Sequence, residues 1–227
     1  MRLTTFIICL LAPMIIFGQT ERKKGPIEII NPPVSQDRFI FELHNDMFLE
    51  IPGNMDIRPW SPGVNAHIMY DYPLGKSVMS FAWGYGFSSF NLHTNGEFER
   101  DGLSPDEFVR FYPFPENYEY KKNKVSANFL EIPIEFRLRT RGDRPFKMSV
   151  GGKVGYLVNI HTKTRDDDGK RKFYQVPEIN RWRYGVVGRI GIGRWSLFSF
   201  YSVSTFLLPD KGVELNPLTI GLSIALI

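Results

Sequence analysis

The sequence predicts an all-β protein that folds as an eight-stranded antiparallel up-and-down transmembrane β-barrel. Apolar residues recur at every second position over eight segments, which is the period of a strand with two different faces. Each segment is long enough for a tilted membrane strand of about 9–11 residues. No stretch has the sustained period of about 3.6 residues that a helix would show. The segments are 37–48, 62–73, 77–91, 124–139, 147–161, 179–192, 195–207 and 217–227.

The lengths of the connections are the second observation behind this fold class. In chain order they contain 13, 3, 32, 7, 17, 2 and 9 residues, so long and short connections alternate. Membrane barrels have this pattern, with short turns at the periplasmic end and longer loops outside. The shortest connection, Gly193-Arg194, begins with glycine, which suits a type II′ hairpin turn. An even number of strands then brings both termini of the chain to the periplasmic side.

The third observation is the contrast between the two faces of the strands. In 130–138 one face is apolar and the other is charged, and in 79–87 one face is bulky at every position. Small residues are frequent on the polar face, as expected for the crowded interior of a narrow barrel, so we predict that the apolar face contacts lipid. A soluble secreted lipocalin-like ligand-binding barrel, with its apolar face inside, is the alternative. The predicted interfacial aromatic residues include Tyr70, Tyr72, Trp83, Trp182, Tyr184 and Trp195.

The polar face carries charges of both signs in nearly equal number. Its acids are Glu42, Asp46, Asp71, Glu131 and Glu135, and its bases are Arg137, Arg139, Lys153, Arg181, Arg183 and Arg189. Eight strands leave an interior only just filled by side chains, and a buried charge is costly unless it is paired. We therefore predict a structural ion-pair network that closes the lumen. A selectivity filter would need a wider lumen and one dominant sign of charge.

The N-terminal residues predict export from the cytoplasm. Arg2 is followed by the apolar run 6–17 and by Gly18, which is the pattern of a secretory signal peptide covering 1–18. A polar, proline-containing lead-in follows at 19–36 and is predicted to be periplasmic, so the barrel covers 37–227. The single cysteine, Cys9, lies in the apolar run, so the mature chain has no thiol. We expect the protein in the outer membrane of a Gram-negative bacterium.

Composition and motifs exclude several functions. The chain has 28 Lys and Arg against 24 Asp and Glu, without a dominant basic stripe, so nucleic acid is not a predicted partner. H-E-x-x-H and G-x-S-x-G are absent, and we predict no catalytic residue, no cofactor and no metal site. His44 and His67 lie on polar faces of neighbouring strands and carry the alternative, a lumen site of an outer-membrane lipid hydrolase or protease. Otherwise they are hydrogen-bonded members of the lumen network.

Two surface features remain as candidate contact sites. The long loop 92–123 is aromatic and proline-rich, and it either covers the barrel mouth as a lid or binds a protein partner. Its candidate binding residues are Phe108, Phe111, Tyr112, Phe114, Tyr118 and Tyr120. The second feature is a set of bases at the outer rim that either are solvated or contact the phosphates of outer-membrane lipid or lipopolysaccharide. They are Lys121, Lys122, Lys124, Arg165, Lys170, Arg171 and Lys172.

Several stretches of the chain resemble PorT-type outer-membrane β-barrel proteins. They are 73–76 (PLGK), 80–86 (SFAWGYG), 130–137 (LEIPIEFR), 152–157 (GKVGYL) and 183–185 (RYG), of which the L-x-I-P-x-E-F-R strand is the most specific. The resemblance covers nearly the whole mature chain, and some members of this group act in type IX protein secretion. The sequence thus predicts a non-enzymatic outer-membrane barrel with a closed lumen. Its role would be that of a structural or partner-binding envelope component, in type IX secretion if the resemblance extends to function.

Overall fold

The computed structural model describes residues 38–75, 77–102, 108–167, 169–174 and 176–226, so the predicted signal peptide (1–18) and lead-in (19–36) lie outside it. Within these ranges the chain forms eleven strands. They are β1 (Phe39–Phe48), β2 (Pro62–Pro73), β3 (Met79–His93), β4 (Gly96–Arg100), β5 (Val109–Pro113), β6 (Tyr120–Arg139), β7 (Phe146–Asp166), β8 (Gly169–Phe173), β9 (Trp182–Ile192), β10 (Trp195–Ser202) and β11 (Pro217–Leu226). The described ranges contain no helix long and apolar enough to cross a membrane.

Eight of the described strands close into an antiparallel barrel. Their order is β6-β3-β2-β1-β11-β10-β9-β7, and pairing of β6 with β7 completes the ring. Each barrel strand lies beside the barrel strands that precede and follow it in the chain, and the first, β1, pairs with the last, β11. This confirms the predicted eight-stranded antiparallel up-and-down barrel.

The two ends of the barrel differ in their connections. The turns 74–78, 140–145 and 193–194 lie at one end, which we call the short-turn end. The connections 49–61, 94–119, 167–181 and 203–216 lie at the other, which we call the loop end. Gly193 has a φ of 63°, in the left-handed region that glycine adopts without strain, and it permits the tight turn between β9 and β10.

The apolar faces of the barrel strands point outward. In β6, Leu130 and Ile132 are 57% and 54% exposed, whereas Glu131 between them is 2% exposed. The same alternation repeats around the ring, and the exposed side chains form a continuous apolar belt. The belt includes Phe41, Val64, Tyr85, Leu130, Ile132, Val150, Val154, Val186, Leu197 and Leu222. The lipocalin-like alternative, which requires the apolar face inside, is therefore wrong.

The eight predicted segments correspond to the eight barrel strands, with differences at their ends. The segment predicted as 195–207 ends at Ser202, and the one predicted as 179–192 begins at Trp182. β6 begins at Tyr120 and β7 continues to Asp166, so these two strands extend further at the loop end than predicted. The sequence did not predict β4, β5 or β8, each of which has only five residues.

The backbone ladder between β3 and β6 is interrupted near its middle. The pairs Trp83–Ile134 and Gly86–Glu131 form, but the two positions between them are not paired. Pro133 has no N–H, so it cannot donate to the carbonyl of Gly84, which the register puts opposite it. The wall beside Glu131 is therefore held by fewer backbone hydrogen bonds than the rest of this seam.

The loop end of the interior is filled by apolar side chains, which we call the apolar cap. β4 and β5 pair as a hairpin. Phe98, Val109 and Phe111 of this hairpin are buried against side chains from the barrel and from the connection 203–216. The cap comprises Phe48, Met55, Phe90, Leu92, Phe98, Val109, Phe111, Val125, Ala127, Phe129, Val176, Phe206, Leu207 and Leu215. The described part of the connection 94–119, which we call the lid, thus covers the barrel mouth.

Candidate functional site: the closed lumen

Inward-facing side chains of the barrel strands meet inside the apolar belt, because alternate residues of a strand point to the same side. β1 contributes Glu42, β6 contributes Glu131 and Glu135, and β7 and β9 contribute the opposing cations. We call the resulting cluster the lumen network. Its ion-paired members are Glu42, Asp71, Glu131, Glu135, Arg137, Lys153, Arg183 and Arg189, together with His67.

Arg189 lies between two carboxylates from different strands. Its Nη2 is 2.6 Å from Glu42 Oε1 and its Nε donates to the same oxygen at 2.9 Å. Its Nη1 donates to Glu135. The other oxygen of Glu42 accepts a hydrogen bond of 2.7 Å from Asn65. All three charged side chains are buried, and each charge has opposite partners, as a buried charge requires.

Glu131 is the centre of a second group of ion pairs in the lumen network. Lys153 Nζ and His67 Nε2 lie 2.9 Å and 3.2 Å from its Oε2, and Arg183 donates to its Oε1. Arg183 also donates to Ser88 Oγ at 2.8 Å. Two cations and a histidine therefore surround one carboxylate that is 2% exposed.

Arg137 joins the lumen network at the short-turn end. Its Nη1 donates to Asp71 Oδ1 at 2.8 Å and its Nε donates to Glu135 Oε2 at 3.1 Å. Glu135 thus links Arg137 to Arg189. Beside this pair lies a pocket of about 40 Å³, which has room for about three water molecules.

Asp46 is buried at the other edge of the lumen network, below the apolar cap. It accepts hydrogen bonds of 2.8 Å from Thr219 and from the backbone N–H of Asn91. His44 Nδ1 lies 3.0 Å from Asp46, and His44 Nε2 lies 3.0 Å from Asn65 Oδ1. The chain of contacts from Asp46 through His44 and Asn65 therefore reaches Glu42.

Two bases expected in the lumen lie elsewhere. Arg181 is exposed and precedes β9, because that strand begins at Trp182. The expected alternation assumed a strand from residue 179, but Ile179 instead forms an isolated bridge with Leu207. Arg139 is half-buried at the last position of β6, at the short-turn end.

Aromatic rings separate the lumen network from the apolar cap. The guanidinium of Arg183 lies 4.0 Å from the centre of the Phe129 ring, and Lys153 Nζ lies 4.1 Å from that of Phe200. Phe198 and Phe200 are 2% and 1% exposed, so the face of β10 whose direction the sequence left ambiguous points inward. Because a cation is attracted to an aromatic face, these rings can contact both the cations of the lumen network and the side chains of the apolar cap.

Some aromatic residues of loop 92–123 face the apolar cap, and others face outward. Phe111 is 3% exposed in the apolar cap, whereas the adjacent Tyr112 is 41% exposed. Phe108 is half-buried, with Arg110 over its ring at 5.7 Å. Phe114, Tyr118 and Tyr120 contact one another, with ring centres 5.0–6.1 Å apart.

A polar contact connects the lid to the rim of the barrel. Tyr118 Oη donates to Asp166 Oδ2 at 2.8 Å, and Arg171 of β8 donates to the same oxygen. These two donors hold the pKa of Asp166 below its ordinary value, with Arg171 the larger cause. The hydrogen bond to Asp166 correspondingly raises the pKa of Tyr118.

These features define a class of protein: a closed antiparallel barrel with an apolar outer wall and its charges inside. Among the described residues no group of His, Cys, Asp and Glu side chains is arranged to hold a metal ion. The model of the outer membrane protein beta-barrel domain family matches residues 43–206, and the chain belongs to this family. It is therefore an outer-membrane barrel protein. No match was found among the curated proteins.

Proposed function

We propose that this protein is a non-conducting, non-enzymatic barrel that serves as a structural or partner-binding component of the envelope. The observation that carries the proposal is the double closure of the interior, by the lumen network at the level of the apolar belt and by the apolar cap at the loop end. An ion would have to displace Arg189 and Lys153 from their carboxylates and then pass through a packed aromatic layer. A conducting pore needs a continuous polar path instead.

Conductance across a planar bilayer tests the closed lumen. We expect no current steps from the wild type. We also expect none from a variant in which a short Gly-Ser linker replaces residues 97–112, because the lumen network alone closes the barrel. Heat-modifiable migration in a gel verifies that both proteins are folded. Stable ohmic steps from the wild type would contradict the proposal.

The absence of enzymatic activity is a separate part of the proposal. His44 and His67, the residues of the hydrolase or protease alternative, are each 2% exposed and are hydrogen-bonded to Asn65 and Glu131. A substrate would have to enter a lumen that side chains fill. We expect neither the wild type nor His67→Gln to hydrolyse envelope lipid or protein. Activity in the wild type that His67→Gln removes would establish the alternative.

We propose further that the lid contacts a protein partner in the envelope, and that this partner belongs to type IX secretion, as the resemblance to PorT-type proteins implies. Tyr112, exposed on the hairpin beside the buried Phe111, supports this use of the lid. A photo-reactive amino acid at Tyr112 should cross-link one partner in intact cells. The same residue at Phe111 is the matched control, because its side chain faces the apolar cap. Equal cross-linking from both positions, or none from Tyr112, would contradict partner binding.

Export by the signal peptide completes the proposal. The charged and apolar pattern of 1–18 supports cleavage before Gln19. N-terminal sequencing of the protein from a Gram-negative outer-membrane fraction should begin at Gln19, whereas recovery from the soluble periplasm would contradict the localisation.

A further inference from the structure

Beyond the apolar belt, three strands continue the barrel wall at the loop end. They are the first part of β6, the last part of β7 and the whole of β8. Val158 is the last exposed apolar residue of β7 in the belt, and Lys163 follows five residues later. At a rise of roughly 3.3 Å per residue and a tilt of about 40°, Lys163 lies about 12 Å further along the barrel axis. We call this part of the wall the rim sheet.

The outer face of the rim sheet carries two rows of cations aligned across the strands. Lys124 pairs with Lys163, and Lys163 pairs with Lys172. In the next row Lys122 pairs with Arg165, and Arg165 pairs with Lys170. Like charges directly opposite each other in a sheet are destabilising. Six cations in register therefore oppose the pairing of the strands that carry them.

The neighbouring acids of the described chain do not neutralise these rows. Asp166 points to the other face, where it accepts hydrogen bonds from Arg171 and Tyr118. Asp167 is paired with Lys121, which stands outside both rows. Among the described residues, none of the six cations forms an ion pair with a carboxylate, and Lys124 instead donates to Asn91 at 2.9 Å. The rows thus lack the opposite charges that surround every cation of the lumen network.

The crowding of charge affects the half-buried Lys124 directly. Burial is the largest cause that lowers the pKa of its amine, and the charges of Lys122, Lys163 and Lys172 lower it further. The next row toward the belt contains His161 and Tyr174, whose ring centres are 5.9 Å apart. Below it, Tyr156 and Trp182 contact each other at the upper edge of the belt. Aromatic residues of this kind lie at the interface between hydrocarbon and headgroups.

We propose that the two cation rows of the rim sheet bind the phosphate groups of an anionic lipid in the leaflet at the loop end. The outer face of the barrel wall contacts the bilayer, and the rows stand just above its aromatic edge, in the zone of headgroups and their attached sugars. Phosphates there would supply the counter-charge that the described chain does not. This inference concerns the outer face of the wall and is independent of the lid and of the closed lumen.

Native mass spectrometry of the folded full chain in neutral detergent, with lipid A as the probe, tests the proposal. We expect Lys163→Gln/Lys172→Gln to bind diphosphorylated lipid A about 30-fold more weakly than the wild type, from about fivefold for each cation near an anionic surface. The matched control is Arg144→Gln/Arg194→Gln, which removes two exposed charges at the short-turn end and should stay within about twofold. Lys122→Gln/Lys170→Gln is the second test of the rows. Heat-modifiable migration verifies the folding of every variant.

Four results would overturn this assignment. Equal binding by the wild type and both row variants would show that the rows do not bind lipid phosphate, and equal binding of dephosphorylated lipid A would show that phosphate is not recognised. Displacement of lipid A by inorganic phosphate at a similar concentration would identify a site for free anions. Capture of an acidic protein through the rows, with lipid A binding unchanged in the variants, would identify a protein-binding surface instead.

Discussion

The interior of this barrel is filled in two different ways along its axis. In the lumen network, Arg189 and Glu131 are held by specific partners from other strands. In the apolar cap, the side chains of residues such as Phe206 and Leu215 are buried among apolar neighbours. Both fillings exclude water, but the first depends on matching every charge and the second on matching volume.

This difference predicts how sensitive each region is to substitution. A charge that loses its partner in the lumen network keeps its full desolvation cost. We therefore expect a substitution that preserves the size of a side chain but removes its charge to lower stability there. A change of shape at constant volume is tolerated in an apolar core. Substitutions at four positions, Arg189, Leu215, Gly63 and Asp166, test this contrast.

The largest effect is expected from Arg189→Met. It leaves Glu42 without its guanidinium and Glu135 with Arg137 alone, and breaking a buried ion pair typically lowers the free energy of unfolding by about 3–5 kcal/mol. Urea titration of the refolded protein in micelles measures the change. Arg194→Met at the exposed turn is the control and should change stability by less than about 0.5 kcal/mol. Equal effects of the two substitutions on the free energy of unfolding would contradict a structural role for the lumen network.

The apolar cap should respond to volume rather than to chemistry. Leu215 is 0% exposed, and Leu215→Ala should cost about 3 kcal/mol because it leaves a cavity. Leu215→Met keeps the volume and should cost less than about 1.5 kcal/mol. Leu49→Ala, at a leucine that is 55% exposed, should cost less than about 0.5 kcal/mol. The same urea titration applies, and similar losses from Leu215→Met and Leu215→Ala would contradict the contrast.

Gly63 tests how closely the lumen wall approaches the buried groups of β1. A Cβ atom there would lie 2.2 Å from His44 Cε1 and 2.4 Å from the carbonyl oxygen of Ser89. Gly63→Ala should therefore cost about 1–3 kcal/mol through overpacking. Gly53→Ala is the matched control, because nothing lies within 4 Å of a Cβ at that position. A thermal scan of the two variants that gives equal midpoints would refute the close approach.

The smallest effect is expected at the rim, where the Asp166 carboxylate joins the lid to β8. Its pKa is lowered in the folded state, so this contact contributes stability above the ordinary Asp pKa of about 3.8 and loses it as the pH falls through the lowered value. Limited proteolysis of the lid by pepsin should therefore accelerate at acidic pH. Asp166→Asn should be cleaved at a rate that changes less over the same pH range. An unchanged pH profile in that variant would exclude Asp166 as the cause.

Most strands could be predicted from the sequence because the outer face of the wall has one uniform apolar environment. Leu130, Ile132 and Ile134 all face outward, so the period of two is unbroken there. The partners of each charge could not be predicted in this way. Glu42 and Arg189 meet because of the tilt and stagger of the strands, which no local pattern records.

The orientation of β10 and the position of loop 92–123 depend on contacts that the sequence does not reveal. Phe198 and Phe200 point inward because they pack against His44 and Lys153, so both faces of β10 look apolar in the sequence. The sequence predicts either a lid over the barrel mouth or a binding surface for loop 92–123. The described part of that loop forms a hairpin with Phe111 inside and Tyr112 outside, which is compatible with both uses.

The origin of the partners of Arg189 has a consequence for how the protein enters its membrane. Glu42 lies on the first barrel strand and Glu135 on the fourth, whereas Arg189 lies on the sixth. An open sheet made only of the last three barrel strands would expose this guanidinium to hydrocarbon without a counter-ion, at a cost of several kcal/mol. We therefore expect closure of the ring and passage into the bilayer to be coupled steps, with the charges in the lumen favouring insertion of the complete barrel over insertion of its parts.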